Sequence, residues 1–172
     1  IEISQVLYGR KKEKQFLQAI FEQVVDGHME IVLIKGASGI GKTRLVREIY
    51  PSVLKNNARF IAGKFNQGTT ELPYGAIISA FRELLRNLLL ETKTRRAFWK
   101  AELLTTLNNG SQVLAELLPE IGLLVGSQST VQSLTAQETQ NRLQWLFAKF
   151  VRIFCREGSA LVLFLDDLQW ID

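Results

Sequence analysis

Gly36-Ala37-Ser38-Gly39-Ile40-Gly41-Lys42-Thr43 is the most informative run in the chain. It fits G-x-x-x-x-G-K-[ST], the Walker A pattern of a phosphate-binding loop. Each residue type answers a physical need. A polyphosphate carries dense negative charge and must be met by many donors at once. Gly36, Gly39 and Gly41 lack a Cβ, so the chain can turn sharply and enter the left-handed region. The main-chain N–H groups of the loop, those of Ala37, Ser38 and Ile40 among them, then converge into an anion-binding nest. Lys42 brings a flexible positive charge to the β- and γ-phosphates, and Thr43 offers a hydroxyl to Mg²⁺. The positive end of the following helix favours the same phosphates.

The flanks suit that reading. Ile31-Val32-Leu33-Ile34 is apolar and β-branched, which predicts a buried strand over 30–35. Arg44 to Tyr50 has apolar residues at helical spacing, which predicts a helix from about 42 to 50, with Pro51 as its bend or end.

The far end of the chain supplies the complement. Leu161-Val162-Leu163-Phe164-Leu165 is an apolar run closed by Asp166-Asp167, the Walker B form. A buried strand fixes the backbone, and an acid at its carboxyl end projects into the crevice where α/β proteins bind ligands. Asp166 is expected to organise Mg²⁺, and Asp167 to act as general base on the attacking water. An apolar run ending in two acids says little alone; behind a Walker A loop it points to a hydrolysable Mg²⁺–nucleotide, with Lys42 and Asp167 as the catalytic pair.

Between the two lie a strand at 59–65 and a helical block over about 74–157. Phe16, Leu17, Ile20, Phe21 and Val24 mark an earlier amphipathic helix that ends near Asp26-Gly27. Pro73 suits the first position of a helix whose apolar face carries Ile77, Ile78, Phe81, Leu84, Leu85, Leu88 and Leu89. Asn108-Asn109-Gly110 is a turn, and Thr135-Ala136-Gln137-Glu138 matches a capping box. Leu143, Leu146, Phe147, Phe150, Val151 and Phe154 form a core stripe, with Trp145 beside it in the same core role.

Composition removes other chemistries. The 172 residues, 47% of them hydrophobic, suffice for a real core in one domain, and a net charge of +4 does not by itself indicate nucleic acid. A single cysteine, Cys155, excludes an intramolecular disulfide; its apolar helical setting predicts a buried structural thiol. With one histidine, His28 in a turn, a His/Cys zinc site has no ligands to draw on. No signal peptide and no membrane-length apolar run is visible, so a cytoplasmic module is expected.

Tyr8-Gly9-Arg10, the GASGIGKT loop and FLDDLQWID at 164–172 together resemble the AAA-type/STAND signal-transduction ATPases. Ala62 to Gln67, Pro73-Tyr74, Ala80 to Leu85 and Glu138 to Arg142 sharpen the resemblance toward the ATPase module of large bacterial proteins that join a serine/threonine kinase to a sensor histidine kinase. The resemblance implies an α/β P-loop NTPase with a parallel sheet, helices on both faces and an inserted helical block. It implies ATP and Mg²⁺ as ligands, the segment Tyr8-Gly9-Arg10 near the adenine, and partners in the nucleotide and in kinase or sensor modules of one larger chain. Nucleotide-dependent self-association is a further expectation, and nucleic acid is not expected. In such folds the strand order is 5-1-4-3-2, so strands 4 and 5 would follow Asp172, and residues 1–172 would be the N-terminal part of one ATPase domain, cut just past Walker B and poorly stable alone. An acid at the second Walker B position that is Asp rather than Glu fits a slow switch. The competing classes are a P-loop phosphotransferase, an initiator-type DNA-associated ATPase and a binding module without turnover.

Overall fold

A computed structural model of the chain describes residues 9–66, 74–126, 136–155 and 159–170. The chain divides into two compact units, Ile1–Phe60 with Arg156–Phe164, and Ile61–Cys155 with Leu165–Asp172. Each is taken by itself.

The first unit is built on helix α1, Lys11–Val25. Its apolar stripe places Phe21 in a small core with Ile49 and Val53, against which Leu17, Val25, Ala58, Phe60 and Val162 pack. Tyr50 and Phe60 add a tilted ring contact at 4.7 Å. The helix ends where Asp26-Gly27 predicts. Gly27 adopts φ +94°. The His28 N–H then reaches the Gln23 carbonyl at 3.0 Å and the Gly27 N–H the Val24 carbonyl at 3.1 Å. That crossed pair satisfies two carbonyls of the last turn, and only a residue that tolerates a left-handed backbone can make it.

The helix expected at about 42–50 is two helices, α2 at Lys42–Arg47 and α3 at Tyr50–Lys55, parted by a turn at Glu48 and Ile49. Pro51 sits in the first turn of α3, so it begins a helix rather than ending one. There its missing N–H costs nothing, since first-turn donors have no intrahelical partner.

The strand expected over 30–35 is corrected. These residues form no ladder, and Ile31 and Leu33 are 88% and 62% exposed. A buried strand exists only where a neighbour takes its N–H and C=O groups. Among the described residues the two strands present, β1 at Arg59–Lys64 and β2 at Leu161–Asp166, pair with each other. The Arg59 N–H donates to the Ala160 carbonyl and the Phe65 N–H to the Asp166 carbonyl. The register advances together along both strands, so the pair is parallel, as an α/β fold requires.

The second unit holds most of the helical block: α4 Gly75–Leu89, α5 Lys93–Leu107, α6 Ser111–Leu117, α7 Pro119–Val125 and α8 Ala136–Ile153. Phe81 of α4 is its hub, with ring centroids 5.5 Å from Phe147 and 5.3 Å from Phe150 of α8. Trp99 of α5 meets Phe154 at 5.6 Å. Phe81, Phe150, Phe154, Leu85 and Leu88 are fully buried. Each such side chain contributes about 1.5–3 kcal/mol by burial. The buried carboxylate of Glu120 on α7 accepts from Arg86 of α4 at 2.9 Å, and Arg82 stands 3.8 Å away.

The core stripe of α8 agrees with its spacing, but Trp145 does not share it. Trp145 is 58% exposed and carries the Lys149 ammonium over its ring at 3.8 Å. Cys155 is likewise exposed rather than buried, although partial desolvation pushes its thiol above the ordinary range. α4 starts at Gly75, one residue after Tyr74 in a left-handed conformation; Pro73, Thr135 and Tyr8 lie outside the described residues.

Candidate functional site

The residues singled out by sequence fall into two groups, one in each unit. Residues 36–43 with Gly9 and Arg10 belong to the first. Gly39 and Gly41 have φ of +77° and +91°, the left-handed region that the loop needs. Gly36 is not left-handed, which narrows the expectation made for all three glycines. Its requirement is space, since a Cβ there would stand 3.1 Å from the Ile40 side chain. The Ile40 N–H turns back to the Ala37 carbonyl at 3.4 Å, and the Leu45 N–H closes the first helical bond onto the Gly41 carbonyl at 2.9 Å.

Lys42 lies across this loop. Its Nζ donates to the carbonyls of Gly36 at 2.9 Å and Ala37 at 3.1 Å. The ammonium is thus tied to the backbone at the start of the loop. The dipole of α2 contributes less than expected, because the helix has only six residues.

Two ties to α1 were not visible in the sequence. The Arg10 Nη2 donates to the Ile40 carbonyl at 2.9 Å. Lys14, one turn on, pairs with Glu48 at 2.7 Å and holds that carboxyl below the usual range. One ties α1 to the loop just before α2, the other to the residue just after it.

The acidic pair belongs to the second unit. Asp166 ends β2, and its Oδ1 accepts from the Asp167 N–H at 3.0 Å. Asp167 leaves the strand with φ +58°, so the chain turns there at once into a short 3-10 turn at Leu168–Trp170. Both of its carboxylate oxygens are engaged. Oδ2 pairs with Lys64 Nζ at 3.2 Å and Oδ1 accepts from Gln169 Nε2 at 3.1 Å. Sequence reasoning missed Lys64. The signal that finds it is register: β1 and β2 run parallel with Phe65 opposite Asp166, which sets Lys64 beside the acids.

The donor chemistry suits magnesium. Thr43 in the first unit carries a hydroxyl and Asp166 in the second a carboxylate, each by itself a hard oxygen donor of the kind that Mg²⁺ takes alongside phosphates and water. Among the described residues no cluster of three His, Cys, Asp or Glu side chains could hold a metal alone.

Comparison with known proteins decides the family. The AAA ATPase domain model matches residues 6–172. The chain belongs to the AAA ATPase domain family. This AAA ATPase domain is 40% identical, over 99% of its length, to a segment of hybrid signal transduction histidine kinase G from Dictyostelium discoideum. It is 21% identical, over 94% of its length, to a segment of histidine protein kinase 1 from Candida albicans. It spans only 5% and 7% of those two proteins. No solved structure matches the chain. The α/β architecture with its parallel strand pair accords with the family. Among the described residues no helix of the domain is long and apolar enough to cross a membrane.

Proposed function

We propose that this domain binds Mg²⁺–ATP on residues 36–43 and hydrolyses it slowly, as a regulatory nucleotide switch within a larger signal transduction protein. The observation that supports this most is the loop itself: left-handed Gly39 and Gly41 stand directly before a lysine that lies across the loop's own carbonyls. The Ala37 and Ser38 backbone donors would meet the phosphate oxygens, and Lys42 would exchange two neutral carbonyl acceptors for charged ones. Such an exchange is favourable, because it adds attraction between opposite charges to bonds whose donor is already charged. Thr43 and Asp166 would hold the ion, which when bound would neutralise charge on the β- and γ-phosphates.

Asp167 would orient the attacking water and take its proton. It starts from a held position, with Lys64 on one oxygen and Gln169 on the other. That engagement supports slow turnover. The likeness to two histidine kinases supports a setting in which the nucleotide state acts on kinase or sensor modules of the same chain, with self-association as one route for the output.

The test is direct. In the intact protein, a fluorescent ATP analogue with Mg²⁺ is titrated against wild type and Lys42→Ala, and phosphate release is followed in Asp167→Asn. Loss of binding in the first and retained binding without turnover in the second support the reading. Unchanged affinity in Lys42→Ala overturns the site, and undiminished turnover in Asp167→Asn removes Asp167 as the base.

A further inference from the structure

The Arg10 contact reaches the phosphate loop at a point where one hydrogen bond fixes two groups. In a trans peptide the C=O and N–H point to opposite sides of one plane. Arg10 Nη2 holds the Ile40 carbonyl at 2.9 Å. The Gly41 N–H, on the same peptide plane, is therefore aimed the opposite way. The next plane is fixed as well, since the Gly41 carbonyl accepts from the Leu45 N–H. Gly41 sits at φ +91°, where glycine alone has no steric preference to hold it. Rotation about the Ile40 and Gly41 backbone bonds would flip the Ile40–Gly41 peptide, and the Arg10 bond opposes that rotation.

The restraint is itself restrained. Arg10 caps α1, and its carbonyl accepts from the Lys14 N–H at 3.1 Å. Lys14 in turn pairs with Glu48 at 2.7 Å. Positions 10 and 14 are one helical turn apart and face the same way. The two side chains span α2 from Ile40 to Glu48, and the burial of Phe21 anchors the helix that bears them.

We propose that Arg10 is a positioning residue for the phosphate loop: by holding the Ile40 carbonyl it presents the Gly41 N–H to a phosphate oxygen, while Lys14 and Glu48 keep α1 where that contact can form. This rests on residues 36–43 binding a nucleotide polyphosphate, and it gives Arg10 a task at the phosphates, distinct from a place beside the base.

The experiment uses the intact protein and three probes: Mg²⁺–ATP, inorganic tripolyphosphate and adenosine, each competed against a fluorescent ATP analogue. Arg10→Ala is expected to weaken ATP and tripolyphosphate about tenfold each, the scale of one charge-assisted hydrogen bond, and to leave adenosine unchanged. Its melting temperature should stay within about 2 °C of wild type, because an exposed contact adds little to stability. Arg10→Lys keeps a cationic donor and should recover most of the loss; Lys14→Met should show a smaller loss, about threefold, in the same two probes. If Arg10→Ala fails to fold, Arg10→Lys and Lys14→Met decide by the same comparison. Tripolyphosphate affinity unchanged in Arg10→Ala while Lys42→Ala abolishes it overturns the proposal and leaves the site standing. A parallel loss of adenosine also overturns it, because Arg10 then serves the base. Affinity for ATP that survives Lys42→Ala overturns the site reading itself.

Discussion

Lys64→Met tests whether the ion pair at Asp167 restrains turnover. The pair spans 3.2 Å, with side chains 63% and 31% exposed. Coulomb's law at that distance gives about 1.3 kcal/mol in water and about 5 kcal/mol at an effective dielectric of 20. Side-chain entropy and solvent reduce this for exposed pairs to about 0.2–1 kcal/mol. Removing Lys64 should therefore lower stability by no more than about 1 kcal/mol, or about 4 °C in melting temperature for a chain of this size. Methionine keeps most of the apolar stem, so packing is little changed. The same energy no longer has to be spent freeing Oδ2 before it can face a water. Converted to rate, about 0.2–1 kcal/mol is about 1.4- to 5-fold. The assay is phosphate release by the intact protein at saturating Mg²⁺–ATP, with nucleotide affinity measured in parallel. A rise of that size at unchanged affinity supports the restraint. A fall in turnover refutes it, and shows that Lys64 holds Asp167 where the chemistry needs it.

Three further outcomes are expected. Gly63→Ala places a Cβ 2.1 Å from the Ala76 carbonyl oxygen, so β1 and α4 must separate; a urea denaturation should show a loss of at least about 2–3 kcal/mol, and a change under about 0.5 kcal/mol would contradict the packing. Arg86→Ala removes the 2.9 Å donor from the buried Glu120 carboxylate and leaves Arg82 at 3.8 Å, which should cost about 1–3 kcal/mol in the same assay; Glu120→Gln, which removes the charge along with its need, should cost less. The Glu48 carboxyl is held below its ordinary range by its hydrogen bond to Lys14, so its folded state binds the proton less readily than its unfolded state. Its contribution is present at neutral pH and fades as pH falls through the carboxylate range. The difference in melting temperature between wild type and Lys14→Met should shrink across that range, and a difference that grows with acid would reverse the assignment.

What was legible in the chain followed from local rules. The turns of residues 36–43 were readable in part, because glycines at fixed offsets permit a left-handed backbone: Gly39 and Gly41 take it and Gly36 does not. The α8 stripe was readable because burial repeats every turn; Trp145 lies outside it because it follows Gln144 on the solvent side, with Lys149 four residues on to cover its ring. The segment 30–35 shows the limit. Its residues favour a strand, but a strand is a relation between two segments, and residue propensity does not say which partner is present. Lys64 was hidden for the same reason, since nothing within 59–65 indicates Asp167 until the parallel register is known. The break between α2 and α3 was a matter of Pro51 having two meanings, end or beginning, that only the backbone distinguishes.

The tryptophans of this domain stand in environments different enough to be told apart by light. Trp99 is 5% exposed among aromatic rings, Trp170 is 40% exposed beside the acids, and Trp145 is 58% exposed under a lysine. Single-tryptophan variants would emit from a dry interior, from the turn after Asp167 and from open solvent. An acrylamide titration would quench them in the reverse order, Trp145 first and Trp99 last. A shift in the Trp170 band on adding Mg²⁺–ATP, with the other two unmoved, would then be an optical record of the acidic turn alone.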